Sequence, residues 1–294
     1  MTSDPAIEVR DLRKAYGAME AVRGISFSVL RGEVYGLLGP NGAGKTSTVE
    51  ILEGYRARTS GDVQVLGYDP ADRPQALRAR VGIVLQQTGI YRAIRVREAL
   101  AHFARFYPRP RDVDEVLELV GLEDKRDAQT KTLSGGQLRR LDLGLALIGD
   151  PELIFLDEPT TGFDPAARRA AWETVRGLRA LGKTILLTTH YLDEAQELAD
   201  RVAIIKGGTI LAEGAPRDLG VGHGARVRVA YRNAAGEQIE HITDDPTRLL
   251  AELTSAALAR GEQLEDLEVS RPTLEDVYLE LTADLEEPQV GHRG

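Results

Sequence analysis

The 294-residue sequence predicts an α/β fold built on a parallel sheet, and three observations predict it. Four short apolar runs, "EVYGLLG" (33–39), "ELIFLDE" (152–158), "TILLTTH" (184–190) and "RVAIIKGG" (201–208), are nearly continuous rather than alternating, as in strands buried on both faces. Helical patterns at 165–181 and 192–199 fall between the later runs, the strand–helix alternation of a parallel sheet. Asp164-Pro165 makes a suitable helix start and Gly182 a suitable stop.

The remaining elements follow in order. Residues 7–31 alternate apolar and polar ("IEVRDL", "ISFSVL"), as strands of a half-exposed sheet do. After the run at 33–39, the stretch Lys45 to Gly54 is helical, and "DVQVL" and "VGIVLQ" give two further strands. From about 93 to 127 only helical patterns occur, broken at Pro108 and Pro110. A break near 214–224 ("GAPRDLGVGHG") precedes a small strand–strand–helix–strand–helix module. Its last helix starts at Pro272-Thr273 and carries Leu274, Val277, Tyr278, Leu281 and Leu285 on one stripe, and the residues from about 286 read as frayed.

Composition narrows the function classes. Hydrophobic residues at 42% and charged residues at 28% are those of a globular chain. The longest stretch without Asp, Glu, Lys or Arg is eleven residues, short of the roughly 18 that span a bilayer. "MTSDPAIEVR" has no apolar core and does not read as a secretory signal. No cysteine is present, which excludes disulfide scaffolds and thiolate metal sites. A cytoplasmic chain is expected, and a net charge of −9 argues against a nucleic-acid partner.

The chemistry concentrates at strand ends. "GPNGAGKT" (Gly39, Pro40, Asn41, Gly42, Ala43, Gly44, Lys45, Thr46) fits G-x-x-x-x-G-K-[ST] after a buried strand and opening a helix, with Ser47 next. In that setting its backbone N–H groups wrap a β-phosphate, Lys45 bridges β and γ oxygens, and the Thr46 hydroxyl ligates Mg²⁺. "LIFLDE" ends in Asp157, a Mg²⁺ ligand directly or through water, and Glu158, which orients or deprotonates an attacking water; alone, an acidic strand end is more often a loop start. His190 closes another apolar strand and is placed to reach a γ-phosphate, whereas the other four histidines read as ordinary. Gln86, also at a strand end, can reach Mg²⁺ or the water. Tyr16 either stacks on adenine or packs in its hairpin, and Trp172 reads as core. "TKTLSGGQLRR" places paired glycines before an amphipathic helix, which suits close approach to an anion.

Tyr16, "GPNGAGKT", Gln86, "LSGGQ", "LIFLDE", "GFDP" and His190 together resemble the ATP-binding-cassette (ABC) ATPases over about residues 6–214. The resemblance implies a P-loop NTPase fold, a RecA-like core with antiparallel β and helical subdomains (the latter about 88–150), in a nucleotide-binding domain spanning 1–216. An accessory or regulatory domain would follow at 217–294. It also implies a head-to-tail dimer in which Leu133, Ser134, Gly135, Gly136 and Gln137 of one copy close over ATP held by the other, with Asp164 coupling the sites. Three positions depart from the usual pattern: Phe163 for Leu, Leu138 after "LSGGQ", and Arg95 where a capping Thr or Ser is common. Arg95, with Arg92 and Arg97, is expected to form a small basic cluster facing either an acidic partner or solvent.

The ending "RPTLEDVYLELTADLEE" and "TTHYLDEAQELADRVAII" resemble the ATPases of drug exporters of the daunorubicin/doxorubicin resistance type. That implies ATP hydrolysis driving efflux of a hydrophobic small molecule, drug or lipid through a separate multi-spanning permease, at the inner face of the cell membrane. A soluble ABC ATPase, for example in iron–sulfur assembly, and a non-hydrolysing nucleotide-binding scaffold stay open as alternatives. Glu158 and His190 speak against the scaffold, and the C-terminal module against the soluble enzyme.

Overall fold

A computed structural model describes residues 4–84, 93–219, 227–233, 236–270 and 274–283. Gln86, Arg92, Pro272, Thr273, Leu285 and the tail from 286 lie outside them. The chain divides into two compact units, 1–213 and 214–294.

In the first unit, β1 (Ile7–Tyr16) and β2 (Met19–Val29) pair antiparallel, and β4 (Ser60–Val65) joins the free edge of β1. The alternating sequence of 7–31 gives this sheet one buried and one half-exposed face. The continuous runs form a different sheet. β3 (Val34–Leu38), β5 (Val81–Val84), β6 (Leu153–Asp157), β7 (Thr184–Thr189) and β8 (Arg201–Lys206) lie parallel. The order is β5-β6-β7-β3-β8-β9, where β9 (Thr209–Gly214) returns after the two-residue turn Gly207-Gly208. β9, which carries no continuous apolar run, is absent from the sequence expectation. So is the distinction between the two strands after Lys45–Gly54: "DVQVL" belongs to the antiparallel sheet and "VGIVL" to the parallel one.

Two cores explain why the parallel strands read as unbroken apolar runs. Tyr35, Leu37, Leu153, Phe155, Leu186, Ala203 and Ile205 point into a core shared with the antiparallel sheet and with α1 (Lys45–Leu52). Val34, Ile154, Leu156, Ile185 and Leu187 point the other way, into a second core. That core is completed by α3 (Val96–Ala104), α4 (Val113–Leu119), α5 (Gly135–Leu147) and α6 (Pro165–Ala180). Two shorter helices, α2 (Gln75–Arg78) and α7 (Leu192–Leu198), complete the unit. Pro108 and Pro110 fall between α3 and α4, as their missing N–H donors require.

The arrangement of the site follows from strand order. Parallel strands present all their C-terminal ends along one edge of the sheet, and β6, β7 and β3 are consecutive neighbours there. The residues just past those ends, Glu158, His190 and the loop after Gly39, therefore converge although the loop lies more than 100 residues before the other two in the chain.

The second unit is an antiparallel sheet, order β11-β10-β12, of β10 (Val227–Arg232), β11 (Gln238–Thr243) and β12 (Glu265–Ser270). Between β11 and β12 runs α8 (Pro246–Arg260), and α9 (Leu274–Ala283) follows. Asp245 caps α8 by accepting from the Arg248 N–H at 3.0 Å, and Gly261 takes the left-handed conformation that ends it. Leu274 and Val277 of the expected stripe are buried, and Tyr278 and Leu281 half-buried.

Candidate nucleotide site

The loop from Gly39 to Thr46 is held by its own chain. A Cβ on Gly39 would stand 2.2 Å from the Ile205 carbonyl oxygen, and one on Gly44 would stand 2.5 Å from that of Ala21. Gly42 and Gly44 also sit at φ of +81° and +103°, where side chains strain the backbone. No side chain caps α1, so its N-terminus keeps free backbone donors and the positive end of the helix dipole. The Lys45 ammonium lies in this mouth. It donates to the carbonyls of Gly39 (2.7 Å) and Pro40 (3.1 Å) and stands 3.5 Å from Glu158 Oε1. Thr46 is exposed, and the Ser47 hydroxyl lies 3.0 Å from that of Tyr16. The Tyr16 ring is flanked by Lys14 Nζ (4.9 Å) and by the Arg56 guanidinium (5.2 Å).

Asp157 and Glu158 are neighbours with opposite electrostatics. Burial pushes the Asp157 carboxyl up, and the Glu158 charge adds to that, while a 2.5 Å hydrogen bond donated by Thr188 Oγ1 to Oδ1 holds it back. Burial also works against Glu158, but Lys45 and His190 outweigh it and keep its carboxyl below the usual range. His190 Nδ1 is 3.5 Å from Glu158 Oε2, and Thr161 donates to the same oxygen at 3.2 Å. Lys45 is pushed down by burial, with Glu158 opposing. Glu158 has φ +45°, a left-handed backbone costing a non-glycine residue about 1–2 kcal/mol. Its N–H donates to the Thr188 carbonyl (3.2 Å) and hydroxyl (3.0 Å), which fixes it there.

The Ser134–Gln137 turn is built on a different principle. Ser134 and Gln137 form a reciprocal capping box, the Ser134 N–H donating to Gln137 Oε1 at 2.9 Å and the Gln137 N–H to Ser134 Oγ at 3.3 Å. Between them, a Cβ on Gly135 would meet nothing within 4 Å, and one on Gly136 only Ala167 Cβ at 3.9 Å. Neither glycine has a positive φ. Ser134 and Gly135 are exposed, whereas Leu133 turns its side chain into the second core, so only its backbone faces outward. Asp164 is exposed and caps α6, its Oδ1 accepting from the N–H groups of Ala166 and Ala167.

Several contributors went unread in the sequence. Arg139, on α5 behind the glycine turn, donates to the backbone carbonyls of Asp157 (3.2 Å) and Pro159 (3.2 Å), tying that helix to the β6 end. Thr188, Thr161 and Glu194 are likewise partners of expected residues. A signal existed for Thr188, since "TILLTTH" turns polar just before its histidine. Trp172 is half-buried against the second core, as expected, but its Nε1 also donates to Glu194 at 3.3 Å. The basic cluster expected around Arg95 is engaged internally. Arg95 donates to the Asp127 carbonyl at 2.7 Å and Arg97 pairs with Asp114 at 3.0 Å, while Arg92 lies outside the described residues. Half of the α3 cap survives, because Glu98 accepts from the Arg95 N–H at 3.1 Å.

Similar proteins agree on the family and the fold. Residues 22–161 match the family model described as ABC transporter. The chain is 39% identical over 300 residues to the Nod factor export ATP-binding protein I of Rhizobium meliloti (strain 1021), covering 94% of this chain and 88% of that protein. It is 37% identical over 308 residues to the daunorubicin resistance ATP-binding protein DrrA3 of Streptomyces coeruleorubidus, covering 96% and 97%. A solved structure described as the ATP binding subunit of an ABC transporter superposes with a TM-score of 0.67 at 29% identity, covering 74% of this chain and 93% of that one.

Proposed function

The chain belongs to the ATP-binding subunits of ABC transporters and is an ATPase, and on that premise we propose that two copies sandwich two ATP molecules to drive an exporter. In each site one copy offers the α1 N-terminus, Lys45 and Thr46 to the phosphates, with Tyr16 against the adenine. Phosphate oxygens give the Lys45 ammonium a charged acceptor in place of two neutral carbonyls, a stronger hydrogen bond. Glu158, kept ionised by Lys45 and His190, accepts from the attacking water, and His190 reaches the γ-phosphate. The other copy supplies Ser134, Gly135, Gly136 and Gln137, with Asp164 coupling the two sites.

The observation that carries this reading is the contrast in the glycines. Nothing in the chain's own packing or backbone requires Gly135 or Gly136, so their bareness answers to something that approaches from outside. A helix start with exposed donors suits an anion. The transition state of phosphoryl transfer spreads charge over the γ oxygens, so donors split between two chains make closure depend on ATP.

Mg²⁺ fits the donor set. Thr46 and Asp157 offer oxygen ligands, and Mg²⁺ takes few protein ligands beside water and phosphate. Gln86, the third expected ligand, lies outside the described residues. When bound, the ion neutralises charge between the β- and γ-phosphates.

Among the described residues no helix is long and apolar enough to cross a membrane. Similarity to export ATP-binding proteins supports a separate multi-spanning permease as the conduit and the inner membrane face as this subunit's place. A groove of about 700 Å³ lined by Leu77, Ile94, Phe103, Phe106 and Leu145 offers that partner an apolar seat. Phe106 is 70% exposed there. Export of a hydrophobic small molecule, drug or lipid is supported by similarity to two export and resistance proteins along nearly the whole chain, which favours it over a soluble ABC enzyme.

Glu158→Gln tests the site. ATP binding should persist while turnover falls at least about a hundredfold, and an ATP-dependent dimer should accumulate in gel filtration. A monomeric, fully active variant would refute the reading.

A further inference from the structure

Among the described residues, Glu194 is buried without a charged partner. On α7, four residues past His190, its side chain is 0% exposed. Its Oε1 accepts from Thr160 Oγ1 at 2.9 Å and from Trp172 Nε1 at 3.3 Å. Its Oε2 is buried with no partner at hydrogen-bond distance among the described residues, and burial pushes the carboxyl up, against the Thr189, Thr160 and Trp172 donors. Such a group is costly to keep. A leucine of similar reach would remove that cost but leave the Thr160 hydroxyl and the Trp172 N–H without an acceptor.

Its three attachments span the machinery. Thr160, itself buried, lies in the segment 158–164 that begins with Glu158 and ends with Asp164. Trp172 lies on α6, which Asp164 caps. α7 leads back to His190 through Tyr191, whose ring packs at a tilt of 40° against that of His190, centroids 4.1 Å apart, and lies under Arg168 of α6 at 4.7 Å. Other links between α6 and α7, Arg168–Asp193 (2.9 Å) and Arg176–Glu197 (2.7 Å), involve largely exposed carboxylates and contribute little. Thr188 and Arg139 hold the start of the 158–164 segment at Glu158 and Pro159, and among the described α6–α7 links Glu194 is the one that also takes in Thr160 from inside.

We infer that Glu194 is a positioning residue that locks the 158–164 segment to the His190 helix, so that the γ-phosphate contact in one site and the Asp164 end offered to the other move as one body. This rests on the two-site reading above. Only a buried side chain accepting two hydrogen bonds at once could make this join, and a neutral amide could replace it, because the join uses one oxygen rather than a charge.

The experiment uses the full chain in the Glu158→Gln background, reading nucleotide affinity with a fluorescent ATP analogue and dimerisation by analytical ultracentrifugation. Adding Glu194→Ala should weaken the ATP-dependent dimer about tenfold while leaving monomer nucleotide affinity within about twofold. Thr160→Val should do the same, and combining the two should cost no more than either alone. Glu194→Gln should restore the dimer. Native amide exchange, which needs no dimer, should speed up in 158–164 and 190–198 together with Glu194→Ala and not with Glu194→Gln. The inference is overturned if Glu194→Ala dimerises like its parent, if glutamine fails to rescue, or if the two segments loosen independently. Should the Glu158→Gln parent stay monomeric with ATP, the two-site reading falls, and amide exchange still decides the lock.

Discussion

The phosphate loop and the Ser134–Gln137 turn are both glycine-rich turns opening a helix, yet their glycines answer to different constraints. Gly39 and Gly44 are demanded from within, by the carbonyls of Ile205 and Ala21 and, for Gly44, by a positive φ. Gly135 and Gly136 face open space with ordinary backbone, and their turn is already secured by the Ser134–Gln137 capping box. The first loop is shaped by its own fold. The second is left free by it.

The sharpest way to break this comparison is Gly44→Ala. The added methyl meets a backbone carbonyl that cannot move without disturbing β2, and the φ of +103° strains any side chain. A loss of about 3 kcal/mol is expected in urea unfolding, with nucleotide binding lost alongside. Wild-type stability would show that the loop is looser than its packing implies.

Gly136→Ala should behave in the opposite sense. Alanine is the better helix former by up to about 1 kcal/mol and clashes with nothing, so the melting temperature should hold or rise. Turnover should nonetheless fall about tenfold or more, because the methyl intrudes on whatever docks. Unchanged turnover would remove the external constraint and with it the distinction between the two turns.

The smallest effect lies at the other end of the helix that the phosphate loop opens. Glu158 has its charge answered inside the chain by Lys45 and His190. Glu53, beside the groove, has not: burial, then the charges of Asp157 and Glu50, push its carboxyl up to about 8, and its Oε1 makes no hydrogen bond among the described residues. Because the folded state holds this proton up to about pH 8 while the unfolded chain releases it near the ordinary value of 4.5, stability from this group declines as pH rises through that window. Glu53→Gln should therefore match the wild type near pH 4.5 and gain on it steadily as the pH rises to 8 in urea titrations. An advantage that shrinks with rising pH would mean that Glu53 is ionised and paired.

The residues proposed to meet phosphate were legible because their chemistry requires fixed local spacing. Lys45 must follow the glycines and Glu158 must follow Asp157. Arg139, Thr188 and Glu194 were not, because each acts on a group from another element, and no spacing along the chain constrains such a pair. Arg95 shows the reverse hazard: three nearby arginines read as a free basic cluster, and only the positions of Asp114 and the Asp127 carbonyl revealed that two are engaged.

The sequence alone determined that a buried parallel sheet forms and that a glycine-rich loop opens α1, and it led to the expectation of a smaller module after a break near 214–224. Continuous apolar runs, glycine turns and caps are local signals, set by backbone sterics and by burial on both faces. Tertiary structure decided which strands neighbour one another, and hence that Lys45, Glu158 and His190 meet within 3.5 Å contacts. It also decided the sign of each carboxyl's shift, since burial and charge depend on distances through space that chain order leaves free.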